Sequence, residues 1–260
     1  MHFHQLRKEI TELLEMGRTR WRRRLLHHGL LPGQALMPAH SRLEFEALLS
    51  RTVRDAPYIM LDTETTGFEP YGGDTLVQFA FIEYHGLEPT GREFCRVVNP
   101  GRPIPARSTA IHGITDEQAA QAPPIDELIN DIVAFIDGHV LVGHHVAFDL
   151  RFLDRVTRRC RLGDIPNPRL DTAMLYLAAG GCSRSIDLDR VAADCGVEIP
   201  GRHDARGDAL GCGLIFNHLA SRLDPGGLSI GELIERVHPI AGLSAHHPAE
   251  IEIRSTTTTD

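Results

Sequence analysis

A chain of 260 residues, 42% of them hydrophobic, can bury one large α/β core with extensions, or two small domains. Its 27 Lys and Arg against 35 Asp and Glu give a formal charge of -8, which excludes a generally basic nucleic-acid binder but leaves room for a local basic patch or a bound metal beside acids. Five widely spaced cysteines without a C-x-x-C pair, a charged stretch from Gln5 onward and no apolar run of membrane-spanning length set the expectation of a cytoplasmic protein without signal peptide or membrane contact.

Phe3, Leu6, Ile10, Leu13 and Leu14 recur at helical spacing and predict an amphipathic helix over 3–16. The basic run from Arg18 to Gly29 follows. Its Arg22, Arg23 and Arg24 beside Trp21 are candidates for contact with a phosphate backbone or a partner; the alternative is a solvated face whose Trp and leucines dock on the main domain. Pro32, Gly33 and Pro38 mark a linker, and Ser41 with Glu44 reads as a capping box opening a short helix to about Leu49. The chain divides into a helical extension over 1–51, a main domain over 52–223, and a short helix with a disordered tail over 224–260, the disorder expected from Gly242 onward.

The main domain opens on YIMLDTETTGF, Tyr58 to Phe68. Ile59, Met60 and Leu61 form an apolar run that predicts a buried strand ending in a turn at Gly67. Side chains alternate along a strand, so Asp62 and Glu64 share a face. Two carboxylates there repel each other, and a hard divalent cation is the usual compensation. Taken alone, the stretch reads equally as a hydrated loop with two ordinary acids.

Thr75–Tyr84 and Phe94–Val98 predict two further strands, joined through turn signals at Glu88 to Gly91 as an antiparallel hairpin. The apolar positions between 126 and 136 have helical spacing. His139 to Val142 predicts a parallel strand and 146–156 a helix with Asp149 in its first turns, facing the strand ends. Arg169 to Tyr176 enters a helix with Asp171 as a cap, and Leu188 to Cys195 predicts another helix. Gly201 to Asp208 is polar and holds His203 and Asp208, with a helix over Ala209 to Leu219 and a last short one over Leu228 to Val237.

Asp62, Glu64, Asp149 and Asp208 form an oxygen donor set suited to Mg²⁺ or Mn²⁺, and a site of two such cations can hold an in-line phosphodiester displacement. His203 can take a proton from water near neutral pH. A D-x-E on a strand, a lone Asp at a helix start and H-x-x-x-x-D before another helix together form a pattern that single residues do not.

That pattern resembles the DEDDh branch of the DnaQ-like 3'-5' exonucleases, a family that includes the proofreading subunit of the bacterial replicative polymerase. The likeness is carried by DTETTGF at 62–68, IHGIT at 111–115, HHVAFDLRFL at 144–153, LDT at 170–172 and HDARGDA at 203–209, within 55–222. It implies an α/β, ribonuclease H-like mixed sheet flanked by helices. It implies one metal on Asp62, Glu64 and Asp208, bridged by Asp62 to a second served by Asp149 through water, and His203 as the general base. Release of nucleoside 5'-monophosphates from a 3' end follows, with Thr65 near the terminal nucleotide and Phe68 beside its base or sugar. His145 stands where family members commonly have Asn, which bears on contact with the 3' end. His112 and His144 are read as structural hydrogen-bonding residues and Phe148 as core.

The expected function is a metal-dependent exonuclease acting on DNA, single-stranded by preference, with a polymerase or repair partner. RNA or short oligonucleotides are the alternative substrates. A non-catalytic, polymerase-associated nucleic-acid-binding module is the alternative of another class.

Overall fold

The computed structural model describes residues 39–182, 186–224 and 226–244. The expected helix over 3–16, the basic segment with Arg22, Arg23 and Arg24, and the chain beyond 244 lie outside the described residues. In chain order the elements are α1 (Ala39–Ser50), β1 (Pro57–Thr65), a 3-10 turn at Pro70–Gly72, β2 (Leu76–His85), β3 (Glu88–Val97), α2 (Ala106–His112), α3 (Asp116–Ala119), α4 (Ile125–Ile136), β4 (Val140–Gly143), α5 (Ala147–Arg159), β5 (Arg169–Asp171), α6 (Thr172–Ala178), α7 (Leu188–Cys195), α8 (Ala205–Leu223) and α9 (Ile230–Ser244).

The strands form one mixed sheet in the order β3-β2-β1-β4-β5. β1 runs antiparallel to β2 and parallel to β4, and β5 continues parallel beyond β4. β1 is central and covered on both sides, which is why its sequence is an apolar run rather than an alternation. Ile59 and Leu61 join Phe79, Phe81 and Leu141 against α4 and α5. Tyr58 and Met60 join Ala80, Ile82 and Val142 against α8, with α6, α7 and α9 on the same side. Ile59, Met60 and Leu61 are fully buried, a contribution on the order of 1.5–3 kcal/mol for each side chain. The expected α/β architecture of a mixed sheet flanked by helices is the one observed, with α1 as a helical segment before the sheet. α1 packs against α9, and Leu48 of α1 shares the second core with Leu233 and Ile234 of α9. No helix among the described residues is long and apolar enough to cross a membrane.

Several boundaries differ from the sequence reading, among them α8, which runs Ala205–Leu223 where Ala209 to Leu219 was expected. β3 begins at Glu88, six residues before Phe94, because the chain turns at Gly86 and Leu87. Its outer half is an exposed edge, Glu88 to Glu93, so no apolar alternation marks it. α1 starts at Ala39, two residues ahead of Ser41, so Ser41 is not its cap. α9 continues past the expected stop at Val237, through Pro239 and Gly242, to Ser244, and the tail expected to be disordered lies beyond 244 outside the described residues.

Candidate active site

Asp62 and Glu64 leave β1 on one face, and the strand breaks register immediately afterwards, between Glu64 and Thr65. The third carboxylate comes from α8. Asp204 caps that helix by accepting the Gly207 N–H at 3.2 Å, which places Asp208 in the first turn. A Cβ on Gly207 would lie 1.9 Å from the Gly201 carbonyl oxygen. Only glycine lets the preceding loop fold over that turn and bury Asp208. One carboxylate oxygen from each of Asp62, Glu64 and Asp208 then lies within 4.8 Å of the others.

Asp149 arrives from the opposite face. It is buried in the first turn of α5, and Thr63, between the two acids on β1, donates its hydroxyl to Asp149 Oδ1 at 2.6 Å. Asp149 stands outside the three-acid cluster. It still borders it, because its charge is the largest among those acting on Asp62.

These acids are not ordinary. Burial, then the charges of Asp149, Asp208 and Glu64, push the Asp62 carboxyl well above its usual range. Burial and the Asp208 charge carry Glu64 up to about 8, with Arg202 opposing. Burial raises Asp149 against the pull of the Thr63 hydroxyl, and burial raises Asp208 against the pull of Arg202. Asp208 Oδ2 accepts from Arg202 Nη1 and from the His203 N–H at 3.1 Å, whereas Oδ1 is buried without a hydrogen-bond partner among the described residues. A crowded, buried cluster of carboxylate oxygens whose ionised forms are disfavoured, one oxygen of it unpartnered among the described residues, fits a hard divalent cation. Asp62, Glu64 and Asp208 can therefore coordinate one.

His203 lies at the rim. It is exposed, has φ +61°, and its ring makes no hydrogen bond among the described residues. Phe68 is 55% exposed with its ring 6.1 Å from that of Phe148, which is half-buried and continues into Phe152 and the core. Thr65 turns its hydroxyl to the Gly67 carbonyl at 2.7 Å. Gly67 is needed there, since a Cβ would meet Asp74 Oδ2 at 2.2 Å. His145 is exposed at φ +55°, and its N–H reaches Asp171 Oδ1 at 3.2 Å. Asp171 also caps α6 by accepting the Ala173 N–H, the structural role read from the sequence. His144 is locked between Thr172 Oγ1 at 2.9 Å and the Ile186 carbonyl at 2.7 Å, and burial drives it down to about 3, so it is neutral. His112 accepts the Ile114 N–H at 3.1 Å.

Four contributors escaped the sequence reading. Thr63 was inside the motif but read only as a strand residue. Gln78, opposite Glu64 on β2, donates to Asp204 Oδ1 at 2.7 Å and accepts the Ala205 N–H at 3.1 Å. Arg202 reaches Asp208 and forks onto Asp189 of α7 at 2.6 and 3.1 Å. Gln78 and Asp189 carry no signal in a single sequence, because long separations along the chain hide their partners.

A sheet of this order, with acids gathered at the end of its central strand, is the frame of an α/β nuclease domain. Residues 59–216 match the exonuclease family typified by RNase T, and the chain belongs to the DnaQ-like, DEDDh-type 3'-5' exonuclease family. It is similar to a DNA polymerase III subunit epsilon-like protein of Rhodobacter capsulatus, 40% identical over 71% of this chain and 27% of that protein. It is similar as well to the DNA polymerase III subunit epsilon of Aquifex aeolicus, 28% identical over 65% of this chain and 83% of the relative. The chain thus spans about a quarter of the first relative and most of the second. Among solved structures the fold matches the zinc-bound E. coli ExoI–ssDNA complex with a TM-score of 0.59 at 19% identity, over 74% of this chain and 45% of that one. It also matches Exonuclease X in complex with 5' overhanging duplex DNA, with a TM-score of 0.53 at 20% identity, over 68% and 98%.

Proposed function

We propose that this chain is a Mg²⁺- or Mn²⁺-dependent 3'-5' exonuclease that hydrolyses DNA from its 3' end, single strands by preference, and releases nucleoside 5'-monophosphates. The observation that carries the reading is the convergence of Asp62, Glu64 and Asp208 within 4.8 Å, with Asp149 beside them and His203 at the rim. Asp62, Glu64 and Asp208 would hold the tighter cation, and Asp62 with Asp149 the second. When bound, the pair supplies charge stabilisation for the attacking and leaving oxygens of an in-line displacement. His203, exposed on its loop, accepts the proton of the attacking water. Thr65, Phe68 and His145 line the approach of the terminal nucleotide, with the exposed Phe68 ring offering a face for its base or sugar. Residues 52–223 form the catalytic unit.

DNA is favoured because the relatives are named as DNA polymerase III epsilon subunits or are like them, and fold neighbours were solved with DNA. The same names support a polymerase or repair partner, for which Arg22, Arg23 and Arg24 are the candidate contact. All five cysteines are free thiols, which supports a cytoplasmic location. The test is a panel of 5'-labelled DNA and RNA oligonucleotides, single- and double-stranded, with Mg²⁺ and with Mn²⁺. Stepwise shortening from the 3' end of single-stranded DNA is expected. Shortening of RNA alone would move the substrate, and no product from any oligonucleotide would leave a binding module in place of an enzyme.

A further inference from the structure

His203 poses a mechanical problem. A group that exchanges a proton with an attacking water needs its position fixed to a fraction of an ångström. Yet His203 is exposed, sits in a left-handed backbone conformation that a side chain disfavours, and makes no ring hydrogen bond among the described residues. Its own backbone N–H reaches Asp208 Oδ2 at 3.1 Å, and the residues on either side of it are tied further. On one side the Arg202 guanidinium forks onto both oxygens of Asp189 in α7, through Nε at 2.6 Å and Nη2 at 3.1 Å, and places Nη1 on Asp208. On the other, Gln78 grips the chain twice, donating to Asp204 at 2.7 Å and accepting the Ala205 N–H at 3.1 Å. Gln78 is the register partner of Glu64. The loop is thereby tied to α7 at one end and to the strand beside the acids at the other.

We propose that Arg202, held by Asp189, and Gln78 are positioning residues that clamp the 202–205 segment from both sides and so hold His203 over the acidic cluster. The inference rests on the exonuclease reading for the task of His203, but the clamp itself stands on these contacts. Bidentate guanidinium–carboxylate geometry fixes orientation as well as distance, which an ammonium cannot do. Gln78 uses both ends of its amide, so a side chain of the same length without the amide loses both ties.

The experiment uses the full chain with Asp189→Ala, Gln78→Met and Arg202→Lys, each also combined with His203→Ala. Asp189 is exposed and outside the metal cluster, so its variant is expected to fold. Each single variant should lower kcat for release of mononucleotides from single-stranded DNA by about five- to twentyfold, and Asp189→Ala and Gln78→Met, which touch no cation ligand, should keep KM and Mn²⁺ affinity within about twofold of wild type. In the His203→Ala background the same changes should cost less than about twofold more, because the group they position is gone. Losses that multiply in full on top of His203→Ala, or wild-type kcat in both Asp189→Ala and Gln78→Met, would overturn the proposal. Amide hydrogen exchange at 201–205 reads the clamp without turnover, and should speed up by about tenfold in Asp189→Ala and Gln78→Met. Unchanged exchange overturns the clamp even if no substrate is cleaved. Faster exchange in a protein that cleaves nothing would leave the clamp and remove the exonuclease reading.

Discussion

The hydroxyl of Thr63 lies 2.6 Å from Asp149 Oδ1, so the residue between the two acids of β1 fastens a fourth acid from the other side of the sheet. The strand's two-residue alternation serves both faces at once: Asp62 and Glu64 meet Asp208, while Thr63 meets Asp149.

Thr63→Val keeps the volume and strand preference but removes the donor. The buried Asp149 loses a partner, at a cost of about 1–3 kcal/mol to stability. Turnover should fall by about tenfold or more if Asp149 acts as proposed. Chemical denaturation and single-turnover nuclease assays measure the two effects. Full activity with normal stability would show that Asp149 does not depend on this contact.

Asp62→Ala and His203→Ala separate the two halves of the site. Asp62→Ala should abolish both cation uptake and turnover. His203→Ala should leave cation uptake near wild type and reduce turnover by roughly 10²-fold or more. Calorimetry with Mn²⁺ and a gel assay read both, and a fully active His203→Ala protein would assign the proton transfer to another group.

The pH dependence of stability follows from Glu64. Its carboxyl stands at about 8 in the folded protein against an ordinary 4.5. The folded state therefore holds the proton more tightly than the unfolded chain. Nothing is lost while both are protonated, below the ordinary value. As pH rises the unfolded chain ionises first, stability falls, and the loss is complete above about 8. Asp62, Asp149 and Asp208 are raised too and add in the same direction. Thermal melts in chelator should show Tm falling from pH 5.5 to 8.5, with saturating Mg²⁺ flattening the slope and Glu64→Gln reducing it. A Tm that climbs across that range would contradict the assignment.

His145 occupies a left-handed backbone position, φ +55°, that Asn tolerates better than a histidine does. His145→Asn should stabilise the protein by about 0.5–1 kcal/mol, read as a higher Tm, with the Asp171 contact intact because it uses the backbone N–H. A lower Tm would mean that the imidazole contributes more than the backbone conformation costs.

Much of this was legible in the chain, for identifiable reasons. β1 announced itself because a strand buried on both faces must be an unbroken apolar run, and α4 and α7 because their apolar spacing matches a helix. The acids could be paired on β1 by alternation alone. The outer half of β3 was hidden because an exposed edge needs no apolar pattern, and the end of α9 because Pro239 and Gly242 argue against the helix that contains them. Arg202, Asp189 and Gln78 were hidden for a different reason. Their chemistry lies in pairings that only the fold makes, Arg202 to Asp189 and Asp208 from loop to helix, and Gln78 on β2 to Asp204 and Ala205 more than a hundred residues along the chain.

Titration of Mn²⁺ into the metal-free protein by calorimetry, in two buffers of different ionisation enthalpy, tests the central claim that these acids exist to hold divalent cations. Saturable uptake accompanied by proton release is expected in wild type, weakened by about tenfold or more in Asp208→Asn. Absence of saturable uptake, or equal affinity in wild type and Asp208→Asn, would contradict it.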